Sequence, residues 1–170
     1  NGEELGSIDN NATIKEIRYI AEVYRETDDE KLKESMLNGI DFLLTMQYES
    51  GGWPQVYPQR GDSPESSVYY SNYVTFNDNA MINVLQLMDD IVNEKYPFDQ
   101  NIVDDSLRSK LEGSMNKGID YILKSQIKVD GKLTAWCAQH DPITYEAQHA
   151  RVYEHPSISG SESVGIVKFL

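Results

Sequence analysis

Arg151 stands among the residues best equipped for chemistry. All three histidines of the chain, His140, His149 and His155, fall between Trp136 and Gly165, with the single cysteine, Cys137, and one of the two tryptophans. Gln148, His149, Tyr153 and His155 surround Arg151 in the sequence. A guanidinium is a planar fork that grips a carboxylate through two parallel hydrogen bonds, so this stretch suits an acidic ligand. The histidines are not at metal-ligand spacing and form no His-x-x-x-His pair, which argues against zinc. One or two of them are expected to brace the segment by hydrogen bonds. Cys137, beside Trp136, reads as a small buried apolar residue rather than a nucleophile.

Two further polar clusters, Asp9-Asn10 and Asn77-Asp78-Asn79, each open a helix. Asp and Asn are favoured there as caps, and capping is the plain explanation. The functional one is binding of a hard cation by carboxylate and amide oxygens, as calcium prefers. No EF-hand pattern is present, so such a site would be assembled from distant segments. Trp53 follows Gly51-Gly52 and precedes Pro54. It is expected at a loop mouth, partly exposed, where an indole can stack on a sugar face; core packing is the competing account. Arg60 is a second, lower-ranked cation.

Helices must position these groups. Ile14, Ile17, Ala21 and Tyr24 recur at helical spacing and predict a helix from Ala12 to about Glu26, with Asn11 as its N-cap. Leu32, Met36, Ile40 and Leu43 predict a second from about Glu30 to Tyr48, ended by Ser50-Gly51-Gly52. A polar, proline- and tyrosine-rich segment follows, from Trp53 to Thr75. A third helix is expected from near Asn77 to about Glu94, a fourth from about Asp104 to Lys124, and a fifth from near Ser161. The stretch from Trp136 to Gly165 shows neither helical nor strand periodicity and reads as a long ordered loop, the kind that is usually functional.

The chain repeats itself. Met36 to Gln47 matches Met115 to Gln126 at constant offset, and each copy is followed by a glycine turn and a tryptophan, Trp53 or Trp136. Asn10-Asn11-Ala12 likewise resembles Asp78-Asn79-Ala80. Gly39 and Gly118 fall mid-helix, where glycine costs about 1 kcal/mol relative to alanine. Their recurrence predicts close helix–helix approach. The unit is therefore a pair of antiparallel helices, present twice with a third beginning. Stacked pairs make a solenoid or close into an α/α toroid. A toroid would gather Asp9, Asp78, Trp53, Trp136 and Arg151 on one face.

The net charge of −13 argues against nucleic acid as a partner, since phosphate contacts need a basic face. If the ligand is itself an anion, a bound divalent cation would reconcile the two charges. With 11 tyrosines against 4 phenylalanines the surface is polar and suited to stacking, a hint of carbohydrate. One cysteine excludes an internal disulfide. No apolar run is long enough to span a membrane, and no signal peptide is visible. The chain opens at Asn1 and closes in the apolar run Val164 to Leu170, so both ends are expected to be cut from a longer protein.

Asn77-Asp78-Asn79-Ala80-Met81, Gly51-Gly52-Trp53-Pro54-Gln55 and the whole run from Trp136 to Gly165 resemble the pectate lyases of polysaccharide lyase family 10. Asp9-Asn10-Asn11-Ala12-Thr13 is similar to the segment before that family's first repeat helix, with Asn11 where the family pattern has glycine. The resemblance covers essentially the whole chain, and the motif around Arg151 is its most specific part. It implies an all-α fold, an (α/α)3 toroid whose long loops line a groove, here one catalytic domain over 1–170 that is incomplete at both ends. It implies calcium-dependent anti-β-elimination on α-1,4-linked polygalacturonate. Arg151 matches the Brønsted base, and Asp78 and Asp9 match catalytic-centre acids that engage calcium. Asn10, Trp53, Arg60, Tyr153 and His155 are the expected substrate contacts. The expected protein is a secreted monomer, extracellular or periplasmic, with polygalacturonate rather than nucleic acid or membrane as partner.

Three other readings stay open on sequence. An α/α-toroid glycoside hydrolase would need two carboxylates about a glycosidic bond, for which Asp78 with Glu146 or Glu154 is a candidate pair. A terpene-cyclase-like toroid is disfavoured by the polar loops and the lack of an Asp-rich acid motif. A non-catalytic pectin-binding fragment is the third.

Overall fold

The computed structural model describes residues 5–61, 63–151 and 153–170. Its frame is helical. α1 (Ala12–Thr27) and α2 (Glu30–Met46) are joined by Asp28-Asp29, a link so short that the second helix folds back along the first. α3 (Ala80–Val92) and α4 (Asp105–Lys124) form the second pair, and α5 (Gly160–Phe169) follows. These bounds fall close to those expected from the periodicity. α3 packs against α1, α4 and α5, and it buries Ala80, Met81, Ile82, Val84, Leu85, Leu87, Met88 and Ile91. Helices with apolar residues on so many sides belong in the interior. Arg18 of α1 reaches Asp90 of α3 at 2.6 Å, tying the two at their polar margin.

The mid-helix glycines mark close approaches. A Cβ on Gly39 would lie 2.8 Å from Ile17 Cγ1 of α1. The tryptophans after each repeat act alike: Trp53 Nε1–H donates to the Leu43 carbonyl at 2.8 Å, and Trp136 Nε1–H to the Ile122 carbonyl at 2.7 Å. Each indole thus donates to a carbonyl in the last turn of the second helix of its pair, where helices leave such groups without an intrahelical partner.

The segments between helices are less irregular than the sequence suggests. β1 (Gly6–Ser7) pairs antiparallel with β2 (Val56–Tyr57). β3 (Val74–Thr75), β6 (Gln139–His140) and β7 (Ala147–Gln148) form a three-stranded sheet in the order β3-β6-β7, and a bridge between Pro54 and Val74 joins the two groups. A strip of short strands therefore runs across the ends of the helix pairs. β4 (Lys128–Val129) and β5 (Lys132–Leu133) make a separate exposed hairpin. The expectation of a long ordered loop from Trp136 to Gly165 is corrected here, since β6, β7 and the start of α5 fall within it. Two-residue strands are too short to show alternation, so only their pairing across the chain reveals them. Among the described residues no helix is long and apolar enough to cross a membrane.

Candidate active site

β1 and β3 each lead into a tight turn that starts a helix. The turns are Asp9–Asn11 before α1 and Asn77–Asn79 before α3. Asn10 (φ 50°, ψ 24°) and Asn11 (φ 62°, ψ 27°) are both left-handed, and so are Asp78 (φ 52°, ψ 27°) and Asn79 (φ 57°, ψ 24°). Consecutive left-handed residues are costly for most side chains and tolerated by Asn and Asp, whose short polar groups bond locally. The backbone, not a cap, thus selects these residue types. The expectation that Asn11 caps α1 fails: neither Asn11 nor Asn79 makes a capping bond, and each leaves its buried Oδ1 without a partner among the described residues. α2 and α4 do have such caps, from Asp29 to the Lys31 N–H and from Asp104 to the Leu107 N–H. The site-side helix starts give up that bond and turn their carboxylates elsewhere.

Both carboxylates turn toward one cleft of about 690 Å³. Asp9, Asn10, Asn77 and Asp78 line one part of it, and Arg151, Tyr153, Glu154 and His155 another. Gln55, Gln139 and Gln148 from the strand strip, with Tyr70, complete the polar lining. Within each turn the amide holds the acid: Asn10 Nδ2 donates to Asp9 Oδ2 at 3.1 Å, and Asn77 Nδ2 to Asp78 Oδ2 at 2.8 Å. Amide and carboxylate have exchanged places between the two turns.

Arg151 is exposed and held by Glu154. The carboxylate accepts from the Arg151 backbone N–H at 3.0 Å, from Nε at 2.9 Å and from Nη2. The Glu154 N–H donates back to the Arg151 carbonyl at 2.8 Å. The guanidinium also lies 5.6 Å from the centre of the Tyr153 ring. Hydrogen bonding to Glu154 raises the Arg151 pKa above its already high value, and the same bond lowers that of Glu154. Arg151 is therefore firmly protonated in this state.

His140 anchors the strand pair behind the site. Its Nδ1 donates to the Tyr145 carbonyl at 2.9 Å, and its Nε2 accepts the Cys137 N–H at 2.9 Å. Those partners require the neutral ring. Burial lowers its pKa further. His140 is thus the loop brace expected of one histidine, and Cys137 is buried as expected. Tyr121 contributes from below, its hydroxyl donating to the Asp141 carbonyl at 2.8 Å.

Two expected substrate contacts lie elsewhere. Trp53 is fully buried and spends its N–H inside the frame, so it offers no face to a sugar. The Gly-Gly turn before it brings the chain back onto α4 rather than out to solvent. Arg60 is half-buried against the 3-10 turn Tyr69–Asn72, with Nε 3.3 Å from Ser71 Oγ, and does not line the cleft. The remaining candidates, Asp9, Asn10, Asp78, Arg151, Tyr153 and His155, all line it. Tyr70, Gln55 and Gln139 had no expected role in the site, and Asn77 was expected only as part of the Asn77-Asp78-Asn79 cluster. The repeat held the signal for Asn77, since it stands opposite Asp9; the glutamines became visible only through strand pairing.

Among the described residues no group of three or more His, Cys, Asp or Glu side chains is placed to hold a metal. The donors present are two carboxylates and two amides on separate turns. That set fits a hard cation whose coordination is completed by an anionic ligand and water, and it does not fit a closed protein cage, since calcium takes six to eight oxygens.

Comparison with known proteins agrees with this arrangement. The family model for pectic acid lyases matches residues 1–170. A family 10 polysaccharide lyase from Cellvibrio cellulosa is 43% identical, with a TM-score of 0.90 over 99% of this chain and 50% of that one. A mutant family 10 polysaccharide lyase from the same organism, in complex with trigalacturonic acid, is 42% identical, with a TM-score of 0.90 over 99% of this chain and 51% of that one. This chain thus spans about half the length of these solved structures. No curated protein sequence matches it. The chain belongs to the pectic acid lyase family, among the family 10 polysaccharide lyases.

Proposed function

We propose that this chain carries the catalytic face of a pectate lyase that cleaves α-1,4-linked polygalacturonate by calcium-dependent anti-β-elimination. The observation that carries the reading is the convergence of Asp9, Asp78 and Arg151, from three distant segments, on one cleft. A relative bound to trigalacturonic acid supports the substrate class. In the elimination the C5 proton, next to the uronate carboxylate, passes to a base. The electron pair becomes the C4–C5 double bond, and the C4–O bond breaks to release the shortened chain.

Arg151 is the base in this reading, and Tyr153 and His155 flank the bound sugar. Asp9 and Asp78, each oriented by its neighbouring amide, would hold calcium, which supplies positive charge to the uronate carboxylate as negative charge builds there. To act as a base Arg151 must both lose a proton, which frees a lone pair, and turn that nitrogen from Glu154 toward C5. An arginine fits this task only when its high pKa is countered by nearby positive charge and alkaline conditions. The cation also reconciles a chain of net charge −13 with a polyanion.

We read the helix pairs as part of an (α/α)3 toroid, with α5 opening the third pair, and the protein as a secreted monomer. The test is absorbance of the unsaturated uronide on polygalacturonate at alkaline pH, with calcium and then with chelator. A calcium-dependent rise is expected. Chain cleavage without that absorbance would identify a hydrolase and defeat the lyase reading. Asp78→Ala is expected to raise the calcium requirement; an unchanged calcium titration would remove Asp78 from the cation's ligands.

A further inference from the structure

The floor of the cleft carries polar groups that the elimination does not use. Gln139 is only 3% exposed yet lines the cleft, and its side chain has no hydrogen-bond partner among the described residues. Gln148 faces it directly across the β6–β7 pair, so the two amides share one side of the sheet. The bonds that Gln55 and Gln148 make use backbone atoms, and the buried Oε1 of Gln55 has no partner. Thr75, the register partner of Gln139, is fully buried with an equally unpartnered Oγ1. Buried polar groups in folded proteins are almost always paired. Thr75 does not line the cleft, whereas Gln139 and Gln148 do, side by side, and their amides are a surface that a polar ligand can complete.

The chemistry of that surface differs from the rest of the cleft. Asp9, Asp78, Glu154 and Arg151 are charged; the glutamines are neutral. Each amide offers a donor, Nε2, and an acceptor, Oε1. An ionised carboxylate can only accept, so it cannot satisfy the acceptor of an amide on the cleft lining. A sugar hydroxyl donates and accepts, and neighbouring ring hydroxyls match a pair of adjacent amides.

We propose that Gln139 and Gln148, with Gln55 beside them, read the ring hydroxyls of the polymer, leaving its carboxylates to Arg151 and the cation. This rests on the polygalacturonate reading and adds a specificity to it: the sugar unit over these amides must carry free hydroxyls. An O-acetyl group there removes the hydroxyl donor that an amide oxygen of Gln139 or Gln148 accepts, and adds bulk at the cleft lining. The enzyme then discriminates against O-acetylated polygalacturonate.

The experiment uses isothermal titration of trigalacturonate with calcium, and elimination kinetics on plain and O-acetylated polygalacturonate. The proteins are wild type, Gln139→Met, which keeps the length of the side chain, and Gln148→Leu, at a half-buried position where folding is less at stake. Thermal unfolding checks each fold. Each variant is expected to bind trigalacturonate about 10-fold more weakly, the equivalent of one good hydrogen bond. KM should rise with kcat and the pH profile unchanged, and the preference for plain over acetylated polymer should shrink. Folded variants that bind as tightly as wild type and keep that preference would overturn the assignment of the amides alone. A wild type that does not bind trigalacturonate would overturn the polygalacturonate reading itself, and this proposal with it.

Discussion

Gly118 lies beneath the indole of Trp53: a Cβ at that position would stand 3.0 Å from Trp53 Cζ3 and 2.7 Å from Leu85 Cδ2. The glycine of the second repeat thus admits both the facing helix and the tryptophan of the first. Gly118→Ala gains helix propensity of about 1 kcal/mol but must displace two buried side chains. Overpacking of a close-packed core costs about 1–3 kcal/mol. The net expectation is a lower midpoint in urea unfolding. A midpoint at or above wild type would show that Leu85 and Trp53 can yield.

The two indole N–H bonds, to Leu43 and Ile122, predict a pair of variants with unequal costs. Trp53→Phe removes the side-chain donor from the Leu43 carbonyl, at a cost of about 1–3 kcal/mol, and Trp136→Phe costs less, because the Ile122 carbonyl keeps the Ser125 hydroxyl as a donor at 3.1 Å. Trp53→Phe should leave the affinity for trigalacturonate unchanged, because Trp53 does not line the cleft. Denaturant unfolding and ligand titration measure the two effects separately. Weakened binding with unchanged stability would restore Trp53 as a sugar contact.

His140 makes stability depend on pH. Its folded pKa is depressed by burial, so the unfolded state takes up the proton first as pH falls. The neutral ring's contribution is complete above the unfolded value of about 6.5 and is lost as pH drops through the lower folded value. Within that window the slope is up to about 1.4 kcal/mol per pH unit. Thermal unfolding between pH 7 and 5 should show Tm falling, and His140→Gln should flatten that dependence while lowering Tm at neutral pH. An equal slope in both proteins would place the acid sensitivity elsewhere.

If Arg151 is the base proposed above, its pairing with Glu154 must control the pH at which it acts. The carboxylate raises the Arg151 pKa, and the phenols of the exposed Tyr153 and the half-buried Tyr70 add to it in the same direction. Glu154→Gln removes the charge and keeps an acceptor oxygen for the backbone N–H. The alkaline rise of kcat/KM should then move to lower pH, while Arg151→Lys abolishes turnover and leaves calcium-dependent binding intact. A pH profile identical to wild type in Glu154→Gln would show that the pair does not control the base. Full activity in Arg151→Lys would remove Arg151 from that role.

The sequence by itself determined the helical frame. The spacing of Ile14, Ile17 and Ala21, and of Met36, Ile40 and Leu43, is a local property, because each helix bonds to itself. The repeat marked Gly39 and Gly118 as contacts before any contact was seen, since an unfavourable residue kept twice at one place needs a packing reason. The motifs named Arg151, Asp78 and Asp9 as candidates, and the fold brings the three to one cleft. Tertiary structure decided what depends on residues far apart in the chain. Trp53 beside two glycines looks like a loop mouth until the turn is seen to fold back on α4. Asn11 and Asn79 look like caps until their left-handed backbone is known. Gln148 stands near Arg151 in the sequence and Gln55 closes the Gly-Gly-Trp-Pro-Gln motif, but nothing local links either to Gln139, because strands of two residues show no alternation. Only pairing between distant segments puts their amides on one floor.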